Sequence, residues 1–467
     1  MTAPFDLVVR GGTVVTDTGA RRLDVGVRAG RIAALGERLG PAAQEVDASG
    51  RLVMPGGVDA HCHIDQRSSS GLMTADDFFT GGVSAACGGT TTIVPFAAQH
   101  RGQRLREVVA DYHGRAEGRA FVDYGFHLIV SDPTAAALEE DLPGLVAQGC
   151  PSLKVYMTYD ALKLTDRQLL DVFTAAASLG AIVLVHAENS DAVAWQTARL
   201  LAAGHTEPRH HAASRPPLAE GEATERAIAL AQLAGAAVFI VHASCREALA
   251  AIVRAKAQGR RVWAETCPQY LLLSAADMDR PGFEAARFIC SPPLRSAADQ
   301  AALWEALASG TLDLVASDHA PYRLHDANGK MVHGADAPFT RIPSGMPGLE
   351  LRMPLLFSEG VVKGRLTLSR FVALTSSNPA RVYGMFPRKG AIEVGSDADL
   401  VVWDADREAV VSQAALHDAM DDTPFEGIRV TGWPSCTMSR GEIVWDGQSV
   451  RGGPGRGRFV ARLPLAT

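Results

Sequence analysis

The sequence predicts an α/β fold: a (β/α)8 barrel of the TIM type, beside a small β-sandwich built from both chain ends. Three observations carry this. Eight short apolar runs alternate with helical patterns through the middle of the chain. The two ends are strand-rich instead, with tight turns. Polar residues able to do chemistry recur at the C-terminal ends of the apolar runs, where such barrels place their active sites. At 467 residues the chain exceeds a single small core, but one barrel commonly takes ~250 residues or more.

In chain order, residues 4–55 read as short strands, FDLVVRGGTVV, DVGVRAGRIAALG and RLVMP, with turns at Arg10-Gly11-Gly12 and Ala29-Gly30. The eight candidate barrel strands follow at 57–64, 90–97, 122–130, 152–158, 181–188, 237–244, 261–268 and 312–320. Helical patterns separate them. One spans 167–180, with Thr165 or Asp166 as its cap and Gly180 at its end; another spans 245–259 and also ends at a glycine. Strand texture returns in ADLVVWD, IRVTGWPSCTMSRGEIVWDG and GRFVAR. The expected division is therefore 1–55 and 388–467 for the sandwich and tail, with 56–387 as the barrel.

Composition excludes several classes. The chain is 47% hydrophobic and 21% charged, with a net charge of −7, which argues against a general nucleic-acid or polyanion partner. The basic GRGRFVAR near the C-terminus reads as a solvated tail. No apolar run approaches membrane-spanning length, and MTAPFDLVVRGG lacks a signal pattern. Cys62, Cys87, Cys150, Cys245, Cys267, Cys290 and Cys436 are scattered without CxxC spacing. No disulfide framework is expected, in keeping with a cytoplasmic protein.

The chemistry begins at VMPGGVDAHCHIDQ, residues 53–66. Residues i and i+2 of a strand share a face, so His61 and His63 can grip one metal side by side. Later strands end in His186-Ala187-Glu188, in His242 and in Asp318, and the fourth carries Lys154 inside LKVYM. Any one of these histidines alone reads as readily as a satisfied core residue. Four histidines and an aspartate at the same end of the barrel strands are hard to obtain from packing, and point to a metal site. An ammonium in an apolar strand is costly. Lys154 is then either one half of an internal salt bridge, or a neutral amine that takes up carbon dioxide to become an anionic carbamate ligand between two metals.

PGGVDAHCHID, TADDFFTGG, SLKVYMTY, VHAEN, SRPPLAEGEAT, VHAS, ETCPQYL, CSPPLR and SDHAP occur in that order. With them the chain resembles the amidohydrolase superfamily, and within it the dihydropyrimidinase and hydantoinase family. The late NPARVYGMFPRKGAIEVGSDADLVVWD is similar to that family's return from barrel to sandwich. The resemblance implies two divalent metal ions per subunit, usually zinc. His61, His63 and Asp318 would hold the more buried ion, and His186 and His242 the more exposed one. Carboxylated Lys154 and a hydroxide would bridge them. By the same carry-over Tyr159 is the oxyanion donor, Asp318 the proton carrier, and the backbones of Ser291 and Ser344 clamp the cyclic amide. The implied reaction opens a dihydropyrimidine or a 5-substituted hydantoin to an N-carbamoyl amino acid. A homotetramer is the implied assembly.

Two places depart from the family pattern. Ile342-Pro343-Ser344-Gly345 carries Ser where the family often has Asn. The loop Gln66-Arg67-Ser68-Ser69-Ser70-Gly71 replaces the apolar or aromatic loop common in hydantoinases. Arg67 is either a solvent-facing loop residue or a bidentate partner for a substrate carboxylate. Tyr159 is either the oxyanion donor or an amphipathic surface tyrosine. Allantoinase and dihydroorotase would share the metal site. A non-catalytic assembly protein on the same fold would lack metal ligands, whereas here all six are present. His210, His211, His319 and His325 have no assigned role; His319 should face away from Asp318 in a regular strand.

Overall fold

The computed structural model describes residues 5–68 and 71–465. Parallel strands covered by helices on the outside are buried on both faces, which is why they read as near-continuous apolar runs. The strand Ile182–His186 (IVLVH) is buried throughout. It pairs in parallel with Ser152–Tyr156, Leu153 opposite Val183 and Lys154 opposite Leu184, and with Ala237–Ile240 on its other side. In this way Gly57–Cys62, Thr90–Ala98, His127–Ile129, Ser152–Tyr156, Ile182–His186, Ala237–Ile240, Val262–Thr266 and Leu314–Val315 form one parallel sheet. It closes on itself at the metal-ligand candidates. Asp318 N–H donates to the His61 carbonyl at 2.9 Å, and His63 N–H donates to the His319 carbonyl at 2.7 Å. The result is the (β/α)8 barrel that the alternation predicts.

The third run is not a continuous strand. It breaks into Asp123–Tyr124 and His127–Ile129 around Gly125. The predicted helices stand, as Asp166–Ser178 and Arg246–Ala257. Thr165 caps the first in a reciprocal pair with Gln168, and Gly180 follows at φ +64°.

Both chain ends form the sandwich. One sheet orders Arg31–Gly36, Asp24–Arg28, Phe5–Arg10 and Ala42–Asp47; the other orders Glu442–Trp445, Arg429–Ser439, Leu400–Val410, Leu52–Pro55, Thr13–Thr16 and Gly19–Arg22. Leu7, Val9, Val25 and Val27 from the first meet Val14, Val53, Leu400, Val402 and Met438 from the second in a separate apolar core.

GRGRFVAR is not a solvated tail. Val460 and Arg462 are buried, and Val460 N–H donates to the Tyr124 carbonyl at 2.7 Å. The Arg462 guanidinium donates to Ser152 Oγ at 2.8 Å and to the Phe126 carbonyl. The break at Gly125 leaves backbone groups that need partners, and the tail supplies them. All seven cysteines are free and buried. Among the described residues no helix is long and apolar enough to cross a membrane.

Candidate metal centre

The nine residues singled out in the sequence, His61, His63, Lys154, Tyr159, His186, His242, Ser291, Asp318 and Ser344, line one cavity of ≈200 Å³. It opens at the C-terminal end of the barrel strands. Asp318 Oδ1 lies 3.1 Å from His61 Nε2 and 3.2 Å from His63 Nε2. His242 Nε2 faces His186 Nδ1 at 3.0 Å. The His61 and His242 rings are 5.4 Å apart and join the two pairs into one cluster. Ligand atoms of His61, His242 and Asp318 all lie within 4.8 Å of one another.

Backbone strain sits where the side chains must be aimed. Tyr159, His242 and Asp318 have φ of +67°, +40° and +47°. A non-glycine residue in that region costs of order 1–3 kcal/mol and persists where its surroundings fix it. At Asp318 this turn aims the carboxylate at the histidines just beyond the short last strand.

Three of the four imidazoles are oriented by a partner on the other nitrogen. His61 Nδ1 meets Glu265 Oε1, His63 Nδ1 meets Gln66 Oε1 at 2.8 Å, and His186 Nε2 meets Glu188 Oε2 at 2.7 Å. Arg215 in turn holds Glu188 at 2.7 Å. Burial opposes ionisation of Glu188, but Arg215 and His186 draw its pKa down to about 2. Burial likewise disfavours the protonated forms of His63, His186 and His242, whose pKa values fall. At His61 burial is outweighed by Asp318 and Glu265, which raise it to about 8. Burial works against the Asp318 carboxylate too, yet His61 and His63 hold it well below the ordinary range. Glu265, Gln66 and Arg215 were not singled out from sequence. A glutamate inside the apolar run RVWAETCP is the same signal that identified Lys154, so Glu265 could have been found.

Lys154 is buried. Among the described residues no carboxylate lies within 4.0 Å of its amine, which instead stands 5.2 Å from the ring centres of Phe96 and Tyr156. The internal salt bridge is therefore not what holds it. Burial lowers its pKa to about 8.

The cluster suits a cation on a second count. His242 Nδ1 is buried with no hydrogen-bond partner, although buried polar atoms are nearly always paired. Neutral imidazole and carboxylate form a donor set that suits zinc and its neighbours.

On the facing side of the cavity, Ser291 Oγ and Ser344 Oγ are 3.0 Å apart. A Cβ on Gly345 would come within 2.6 Å of the Ala320 carbonyl oxygen, which explains the glycine after Ser344. The Tyr159 ring stands 5.3 Å from that of His186, with the Arg215 guanidinium 5.2 Å over its face. Burial keeps its phenol protonated to above the usual pH. Gln66 and Ser68 reach the cavity wall, whereas Arg67 is exposed and is not among the described lining residues. Ser69 and Ser70 lie outside the described residues.

All four unassigned histidines take part in hydrogen bonds elsewhere, His210 through its backbone N–H to the Glu207 carbonyl at 3.0 Å. His319 turns away from the cluster to Asp76 at 3.1 Å, and His211 Nε2 donates to the Cys290 carbonyl at 2.8 Å. The His325 backbone N–H donates to Asp421. His210 stacks near His205, ring centres 4.5 Å apart.

Residues 52–444 match the model of the amidohydrolase family. The chain belongs to that family. Over 461 residues it is 44% identical to a D-hydantoinase of Ralstonia pickettii, covering 98% of this chain and 99% of that one. A solved D-hydantoinase superposes with a TM-score of 0.96 at 43% identity, covering 99% of this chain and 100% of the other. The dihydropyrimidinase of Brevibacillus agri NCHU1002 gives 0.95 at 44% identity, covering 98% and 99%. The resemblance carried by the sequence blocks thus extends over nearly the whole of this amidohydrolase.

Proposed function

We propose that this amidohydrolase opens the ring of a 5-substituted hydantoin or a 5,6-dihydropyrimidine, yielding an N-carbamoyl amino acid. The observation that carries the reading is the convergence of six ligand candidates on one cavity, with a buried ring nitrogen of His242 lacking a partner. The D-hydantoinases at 44% identity support the same cyclic-amide class and favour the D enantiomer. The enzyme is metal-dependent. Two divalent ions, with zinc the best match to the donors, would be held by His61, His63 and Asp318 and by His186 and His242. Lys154 carboxylated on Nζ would lie between them. When bound, the ions supply Lewis acidity and lower the pKa of water toward about 7, so that a nucleophile exists at neutral pH.

The chain's own groups do the rest. Asp318, kept ionised by its histidines, accepts the proton of the attacking water and returns it to the departing ring nitrogen. Tyr159 donates its hydroxyl to the developing oxyanion, a contact typically worth about 10²–10³ in rate. The backbones of Ser291 and Ser344 hold the ring amide opposite. We also take the chain to be a cytoplasmic homotetramer divided at 1–55, 56–387 and 388–467.

The test is ring opening of dihydrouracil, hydantoin, phenylhydantoin, allantoin and dihydroorotate, with metal content measured on the same sample. Turnover of hydantoins or dihydrouracil with two metals per chain is the expected result. Exclusive turnover of allantoin or dihydroorotate would move the substrate class and keep the metal centre. No turnover of any of the five would overturn the reading.

A further inference from the structure

Behind the cavity wall lies a second buried lysine that the mechanism does not use. Lys330 is 2% exposed, and among the described residues no carboxylate lies within 4.0 Å of its amine. It does not line the cavity. Its Nζ donates to the Ile289 carbonyl at 3.1 Å and to the Pro343 carbonyl at 3.0 Å. Ile289 stands two residues before Ser291, and Pro343 immediately before Ser344. The Ile289 carbonyl also accepts the Gly345 N–H at 3.0 Å, so the two loops are tied at one point from both sides. The loop that brings Lys330 inward is itself fixed. Lys330 N–H donates to the Arg323 carbonyl at 2.8 Å. Gly329 lies where a Cβ would come within 2.2 Å of that oxygen.

We propose that Lys330 is a positioning residue: by bridging the Ile289 and Pro343 carbonyls it sets the gap between the loops that carry Ser291 and Ser344. The assignment rests on the reading above, in which those loops grip the ring amide. A buried amine without a counter-charge is costly to keep. Met would fill the same space without that cost, so packing alone does not account for a lysine here. Burial lowers its pKa to about 7, and a neutral amine still has two hydrogens, one for each carbonyl. Without Nζ the Pro343 carbonyl loses this donor, and the gap between the two loops is held only by the Gly345–Ile289 hydrogen bond and the Ser291–Ser344 contact. Ångström-scale misplacement of binding groups is felt in turnover and affinity.

K330M, compared with the wild type on the best cyclic amide of the panel, tests this. A KM raised by about tenfold is expected, the effect of losing roughly one such hydrogen bond. The accompanying fall in kcat should be less than about threefold, with metal content per chain unchanged. Combined with S344A, which removes the Ser291 Oγ–Ser344 Oγ contact between the same two loops, K330M should add little to the single loss, because both act on one gap. An unchanged KM, additive losses, or a kcat that falls with lost metal would each overturn the proposal. If K330M does not accumulate as folded protein, K330Q carries the same comparison. Failure of the functional reading shows up separately, as a wild type that opens no cyclic amide. The brace is then read from hydrogen–deuterium exchange: K330M should exchange faster over residues 339–350 while residues 166–178 stay unchanged, and equal exchange over 339–350 would sink it.

Discussion

At the scale of the residue, the centre depends on groups one step removed from the cavity. Glu265 fixes one nitrogen of His61 and so points the other toward Asp318. Such outer partners typically govern about 10–100-fold of metal affinity. E265Q should therefore weaken metal binding by about that factor, measured by chelator competition, while leaving the fold intact by circular dichroism; an unchanged affinity would mean that the barrel alone orients His61. Lys154 makes a sharper case. Its amine is buried without an ion-pair partner, so it either stays a costly ammonium or becomes an anion. K154A should lose the paired metal content, measured by elemental analysis of the purified chain. A variant that keeps two ions per chain would remove Lys154 from the centre. Lys154 was legible from sequence because a charge inside an apolar run has few explanations. Glu265, inside the apolar run RVWAETCP, carries the same mark one strand from the end of the barrel.

At the scale of the element, the starts of the barrel strands were readable and their ends were not. The apolar pattern carries the fifth, sixth and eighth runs to residues 188, 244 and 320, but the ladders stop at His186, Ile240 and Val315. Apolar periodicity reports burial, and burial continues past the point where the ladder ends. His242 and Asp318 leave the extended conformation to aim their side chains, a demand of the site that hydropathy does not record. Gly125 broke another strand for backbone reasons. Helix limits fared better, because their signals are chemical. The reciprocal Thr165–Gln168 cap begins the helix Asp166–Ser178. T165A should cost about 1 kcal/mol, read as a lower urea midpoint at unchanged slope; no shift would show that packing of Leu169, Val172 and Phe173 sets this end instead.

At the scale of the whole molecule, the sandwich drawn from both ends was visible in the sequence, since turn-punctuated strands recur there. The course of the tail was not, because Arg456, Arg458 and Arg462 look like solvated charges until the broken strand at Gly125 is known. Val460 and Arg462 close over Tyr124, Phe126 and Ser152. Ending the chain at Gly453 removes a fully buried valine, worth about 1.5–3 kcal/mol, along with these hydrogen bonds. The thermal midpoint should drop clearly, by scanning calorimetry, and an unchanged midpoint would return the tail to solvent. The pairing of Leu52–Pro55 with Leu400–Val410 has a consequence for the chain as it is made. At about 5–20 residues per second, roughly 20–70 s separate the emergence of these two strands from the ribosome. For that interval Leu52–Pro55 has an open edge, a template for pairing with other chains. A nascent chain of this protein is thus exposed to mispairing from the emergence of Leu52–Pro55 onward, and only the arrival of Leu400–Val410 ends that exposure.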